Sequence, residues 1–288
     1  MRKGRTGKPG PYLRFCVIVI YPLTSILWRR NWRGADRIPR QGPAILAINH
    51  ISYADPFVVG RFIWDAGRLP RFLAKASLFK LPLAGRIVSG AGQIPVYRGT
   101  AEANEALRGA VEALQRGEVV LIYPEGTVTR DPQFWPMRGK TGIARLALLA
   151  PEVPVIPVGQ WGAQHFLDFY AHRFRPIPRK TVSMWAGEPV DLSQYRGGEP
   201  RTAVLHEMTD HIMREVRDQV AAIRGEPAPD EFYHHPGGAA GSATDVVSGT
   251  KRRTNSRSKA RASAKETKRS WRRSALRARL PHDEQEHE

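Results

Sequence analysis

The sequence predicts an α/β domain with a largely parallel sheet flanked by helices, and three observations carry that reading. Between residues 44 and 224, short apolar runs of strand length alternate with longer stretches of helical periodicity. Alternating strands and helices place the helices on the faces of a mostly parallel sheet. The 41% hydrophobic content of the 288 residues is enough for a real core.

Taken in order, residues 1–11 (MRKGRTGKPGP) are basic and punctuated by Gly and Pro, which makes them a flexible arm. Residues 12–34 contain the apolar run Phe15–Trp28, with Arg14 before it and Arg29, Arg30 and Arg33 after it. No small-residue cleavage site follows, so the run does not read as a signal peptide. Fourteen residues reach about 21 Å as a helix, short of the roughly 20 residues that span a bilayer. Pro22 also interrupts the run, so the expectation is a membrane-interfacial helix with Trp28, Trp32 and the arginines at headgroup level.

From there AILAI (44–48) reads as a strand, PFVVGRFIWDAG (56–67) as a helix and RFLAK (71–75) as a strand. SLFKLPLAGRIVSG (77–90) reads as a helix and QIPVYR (93–98) as a short strand. The stretch 101–117 puts Ala103, Leu107, Ala110, Val111 and Leu114 on one helical face and stops at Gly117. VVLIYP (119–124), VPVIPVG (153–159) and VSMWAG (182–187) are strands; GIARLALLA (142–150) and 201–224 are helices. Beyond Gly225 periodicity is lost, so the folded domain is 35–225 and 226–288 is expected to be a disordered, mostly basic tail.

The net charge of +18 is concentrated at the ends: 13 Lys/Arg against one Glu between Lys251 and Arg279, and Arg2, Lys3, Arg5 and Lys8 at the start. Such a chain meets a polyanion. The basic run 251–279 has one aromatic, Trp271, and no base-reading motif, so the distant alternative of a nucleic-acid-binding tail would give only non-specific, salt-sensitive binding, and no specific nucleic acid is expected. An anionic membrane surface suits it better, where each basic residue contributes about 1 kcal/mol. A single cysteine, Cys16, excludes an internal disulfide and a Cys-based zinc site. The stretch RGKTG (138–142) is not a P-loop, because Phe134 stands where that motif needs glycine. Lys140 in it remains a candidate rim cation for phosphates.

One stretch carries chemistry: AINHISYADPF, residues 47–57. On a continuous helix His50 and Asp55 would point about 140° apart. They meet if His50 ends a strand, 51–54 turn, and Asp55 is the N-cap of a helix that begins at Pro56. Asp55 is then both a helix cap and a group able to orient His50, and these two readings are compatible.

Three later stretches follow this one in order: GQIPVYR (92–98), LIYPEGTVTR (121–130) and VPVIPV (153–158). Together with NHISYAD (49–55), they resemble the four blocks of the PlsC-type lysophospholipid acyltransferases, over roughly residues 30–190. Tyr123 stands where that family usually has Phe. The resemblance implies an acyl transfer from a thioester to the free hydroxyl of a lysophospholipid, with 1-acylglycerol-3-phosphate the nearest named acceptor. His50 would be the general base and Asp55 its orienting partner. Arg98 would bind the acceptor's phosphate, with Arg130 and Lys75 as further cations. Glu125, Gly126 and Thr127 would form the turn that holds the acceptor, Glu125 through hydrogen bonds around the glycerol. No metal or bound cofactor is needed. The donor would be acyl-CoA or an acyl carrier protein thioester. The partners are then membrane phospholipids, on the cytoplasmic face of the cell membrane, and, for the second donor, acyl carrier protein. Another lysophospholipid or a glycolipid is an alternative acceptor.

Overall fold

The computed structural model describes residues 9–96, 100–168, 170, 173–197 and 201–233. The chain begins with α1 (Pro11–Leu27) and continues into β1 (Trp28–Arg33), β2 (Ala44–Ile48), α2 (Asp55–Asp65) and β3 (Pro70–Lys75). Next come α3 (Ala76–Phe79), α4 (Ala84–Gly90), β4 (Ile94–Val96), α5 (Thr100–Gln115), β5 (Val119–Ile122) and α6 (Gly142–Leu149). The last elements are β6 (Val155–Trp161), α7 (Ala163–Phe166), β7 (Leu167–Asp168), β8 (Arg173–Phe174), β9 (Lys180–Ala186) and α8 (Thr202–Arg224).

Seven strands form one sheet in the order β1-β9-β6-β2-β5-β3-β4. Every pairing in it is parallel except β6 with β9. The central strands β2 (AILAI) and β5 (VVLI) are buried along their whole length, because helices cover both faces. Alternation along β2 sorts the core into two layers. Ile45 and Ala47 pack with residues of α5, α6 and α8, while Ala44, Leu46 and Ile48 pack with Val58, Val59 and Phe62 of α2. Helix α8 lies so close to β6 that a Cβ at Gly159 would stand 2.8 Å from the Gln219 backbone, which leaves room only for glycine.

The structure departs from the sequence expectation in two places. The segment 12–34 is not one interfacial unit: α1 stops at Leu27, and Trp28–Arg33 is an edge strand in register with β9. Trp28 is consequently buried against Phe166 and not at headgroup level, while Trp32 packs edge-on against Phe62. The stretch 77–90 splits into α3 and α4 with Pro82 between them, as proline disfavours helical geometry in the residue before it.

Helix α1 exposes Phe15, Ile18, Val19, Leu23 and Ile26. It is fastened to α2 by the buried Arg61. That guanidinium donates to Tyr21 O at 2.8 Å, Thr24 Oγ1 at 3.1 Å and Ser25 Oγ at 2.8 Å, and pairs with Asp65. Among the described residues, no helix is long and apolar enough to cross a membrane. Arg98 and the residues from 234 onward lie outside the described residues.

Candidate active site

Strands β2 and β5 run parallel, with Ala47 beside Ile122, so the residues that follow each emerge on the same sheet edge. In open α/β sheets this carboxyl edge is where ligands bind. Asn49 leaves β2 tied to β6: its Nδ2 donates to Gln160 O at 3.1 Å, and its Oδ1 accepts from Gln160 N at 2.8 Å. His50 follows with its backbone held on both sides. Its N–H donates to Glu125 Oε1 at 2.9 Å, and its C=O accepts from Thr129 N at 2.7 Å.

The structure brings His50 and Asp55 together, with Nδ1 and Oδ2 2.7 Å apart. The same Oδ2 accepts from Ile51 N at 2.7 Å and Ser52 N at 2.9 Å. The carboxylate therefore turns back into the loop that precedes it. Asp55 is the first residue of α2, the N-cap position falls on Ala54, and no side chain caps the helix. The expected double role reduces to one, because the loop amides lie nearer to the carboxylate than the helix amides do. Asp55 is wholly buried, and its Oδ1 has no hydrogen-bond partner among the described residues. The His50 side chain is 15% exposed, enough for one edge of the ring to reach a ligand.

Tyr123 stacks on the imidazole, with ring centroids 4.3 Å apart and planes 19° from parallel. Its hydroxyl is buried without a hydrogen-bond partner among the described residues. Burial, and secondarily the Asp55 charge, push its pKa well above the ordinary phenol value. With Nδ1 engaged by Asp55 and one ring face covered by Tyr123, the nitrogen left for proton transfer is Nε2.

Glu125 occupies a different place from the acceptor contact expected of it. It is 3% exposed, and its two oxygens accept from His50 N and from Met137 N, each at 2.9 Å. It braces the histidine's backbone from below. Burial pushes its carboxyl up to about 8; the two backbone donors pull it down, and Asp55 and Asp131 push it further up. Gly126 has φ of 70°, a left-handed conformation that glycine adopts freely. Thr127 is half-buried in the same turn.

Among the expected cations, Lys75 is exposed at the carboxyl end of β3, two strands from β2. Arg130 is exposed after the Glu125–Thr127 turn. Lys140 gains weight from the structure. Its backbone N donates to Pro124 O at 2.8 Å, and its side chain covers Gly126, with Nζ 3.3 Å from where a Cβ would stand. It is thus a cation lying on the Glu125–Thr127 turn itself. Sequence reasoning missed the Asn49–Gln160 clamp and the Thr129 contact, neither of which carries a local signal.

The chain matches the family model described as Acyltransferase over residues 29–161, which include His50, Asp55 and the Glu125–Thr127 turn. It is 27% identical over 155 residues to the chloroplast 1-acyl-sn-glycerol-3-phosphate acyltransferase of Arabidopsis thaliana, covering 50% of this chain and 41% of that protein. It is 32% identical over 108 residues to the lyso-ornithine lipid O-acyltransferase of Pseudomonas aeruginosa, covering 38% of this chain and 40% of that protein. The chain thus spans about two fifths of the length of these curated relatives. The crystal structure of the acyltransferase PlsC from Thermotoga maritima shares the fold, with a TM-score of 0.55 and 22% identity over 75% of this chain and 81% of that one. Over residues 29–161 the chain therefore carries a domain that matches the Acyltransferase family model and is similar in sequence to glycerolipid acyltransferases.

Proposed function

We propose that the protein transfers an acyl chain from a thioester to the free hydroxyl of 1-acylglycerol-3-phosphate, giving phosphatidic acid. The observation that carries this reading is the 2.7 Å contact between His50 Nδ1 and a buried Asp55 oxygen at the carboxyl edge of the sheet. Asp55 keeps the proton on Nδ1, so Nε2 accepts the proton of the acceptor hydroxyl as its oxygen attacks the thioester carbonyl. The tetrahedral intermediate collapses with cleavage of the C–S bond, and the departing thiolate takes the proton from the imidazolium. Positioned bases of this kind contribute about 10²–10⁴-fold. Glu125 is a positioning residue, holding His50 through its amide. Arg98, Arg130, Lys75 and Lys140 supply the charge that receives the acceptor's phosphate, and Gly126 and Thr127 shape the turn beside it.

The catalytic domain is residues 35–225 with the strand 28–33 added to it. The exposed apolar face of α1 rests on the cytoplasmic surface of the cell membrane, and the basic tail at 226–288 adds attraction to anionic lipid. The donor is acyl-CoA or an acyl carrier protein thioester, and no bound cofactor takes part. The test is transfer of a labelled acyl chain from each donor to a panel holding lysophosphatidate, other lysophospholipids and lyso-ornithine lipid. Phosphatidate formed with the highest kcat/KM is the expected result. Preference for another acceptor would reassign the substrate, and no transfer to any of them would overturn the activity.

A further inference from the structure

A cavity of about 510 Å³ opens beside α7 and the start of β9, within the range of about 300–1,000 Å³ typical of small-molecule sites. None of His50, Asp55, Glu125 and Thr129 lines it. Its wall brings together His165, Arg175 and Lys180 with one carboxylate, Asp168. The Lys180 and Arg175 charges act on the His165 ring and lower its pKa, behind the larger effect of burial, while Asp168 raises it, so the four groups share one electrostatic space. Neither Arg175 nor Lys180 is in an ion pair among the described residues.

A second, independent observation is Gln164. This residue lines the cavity and is 3% exposed; its Oε1 accepts from Gly162 N at 2.8 Å, while its Nε2 has no hydrogen-bond partner among the described residues. The Gln164 amide nitrogen is enclosed in the wall, so the groups that an anionic oxygen entering the cavity would meet are Arg175 and Lys180, neither in an ion pair among the described residues.

The surroundings say what carries that oxygen. Lys180 is in register with Trp28, the residue that follows α1. Arg179 Nη2 donates to Ser25 O and Trp28 O, both at 2.8 Å, and so fastens this loop to the end of α1. The same loop, fastened to the end of α1, exposes Phe174 at 61% and Ile177 at 85%. Isolated apolar side chains alternating with arginines, beside an apolar helix, form a surface for lipid.

We propose that this cavity holds the phosphate of an anionic membrane phospholipid, as a headgroup site distinct from the acceptor site at His50, with Phe174 and Ile177 reaching toward its acyl chains. The proposal rests on the membrane reading of α1 and is independent of the reaction assigned to His50. The experiment titrates the full chain with dihexanoylphosphatidylglycerol below its micelle concentration and follows the His165 ring signals by NMR. A saturable shift is expected, with affinity at least tenfold weaker in the R175A/K180A variant. Acyl transfer to a soluble short-chain acceptor should be unchanged in that variant. No shift at His165, or equal affinity in the variant, would overturn the site. A shift produced by coenzyme A and not by the lipid would assign the cavity to the donor's phosphates and overturn the lipid reading. Because binding is read at His165, absence of acyl transfer would count against the proposed activity alone.

Discussion

Replacing Asp55 with Asn tests the His–Asp pair at its most informative point. Three donors converge on Asp55 Oδ2, and two of them are the backbone amides of Ile51 and Ser52, which can only donate. In Asp55→Asn the amide oxygen must therefore keep that place, so His50 retains its proton on Nδ1 and the ring keeps its orientation. The amide nitrogen falls where Oδ1 lies, buried and without a partner among the described residues, at a cost of about 1–3 kcal/mol in stability. What the variant loses for catalysis is the negative charge facing the imidazolium. Two unit charges about 4 Å apart interact by about 4 kcal/mol at an effective dielectric of about 20. Each 1.36 kcal/mol is roughly tenfold in rate, so kcat should fall about 10²–10³-fold with KM little changed. Asp55→Ala, which strands all three donors, should lose more activity and also more stability. Single-turnover acyl transfer, with thermal unfolding as the control for folding, measures both. A kcat for Asp55→Asn within about threefold of the parent, or an equal loss in the Asn and Ala variants, would refute the argument.

Other expected outcomes follow from the same geometry. Tyr123→Phe removes a buried hydroxyl that has no partner among the described residues, while keeping the ring stacked on His50, so unfolding should become harder by about 1 kcal/mol with activity retained. A lower melting temperature would show that the hydroxyl is engaged. Glu125, raised from 4.5 to about 8, binds a proton in the folded state that the unfolded chain releases. Its contribution to stability is therefore complete below about pH 4.5 and lost as pH rises to about 8, with a slope of at most about 1.4 kcal/mol per pH unit. Urea unfolding of Glu125→Gln at pH 5, 6.5 and 8 should show a flatter dependence, and parallel curves would contradict this. Arg61→Ala removes three hydrogen bonds to α1 and leaves Asp65 unpaired by it, so protease cutting within 11–27 should accelerate before the domain unfolds; an unchanged cutting pattern would place α1's anchorage elsewhere.

The central strands were legible because burial on both faces writes a continuous apolar run, as in AILAI and VVLI. The strand WRRNWR was not, since an edge strand shows solvent its arginines, and its partner β9 lies about 150 residues away with no local trace. The spacing of His50, Asp55 and Pro56 was readable because proline fixes where a helix can begin. What the Asp55 carboxylate does was only half readable: propensity favours a cap, but the amides that fill it belong to the loop behind. Glu125 illustrates the same limit, since its two partners, His50 and Met137, come together only once β2 and β5 lie side by side.

The central claim is that the imidazole of residue 50 removes the proton from the acceptor hydroxyl. The most direct measurement is acyl transfer from a labelled thioester to lysophosphatidate by the purified full chain and by His50→Ala, both shown to be folded. The account predicts a loss of about 10²–10⁴-fold in kcat with unchanged acceptor binding. Turnover by the folded variant at the parent's rate would contradict it.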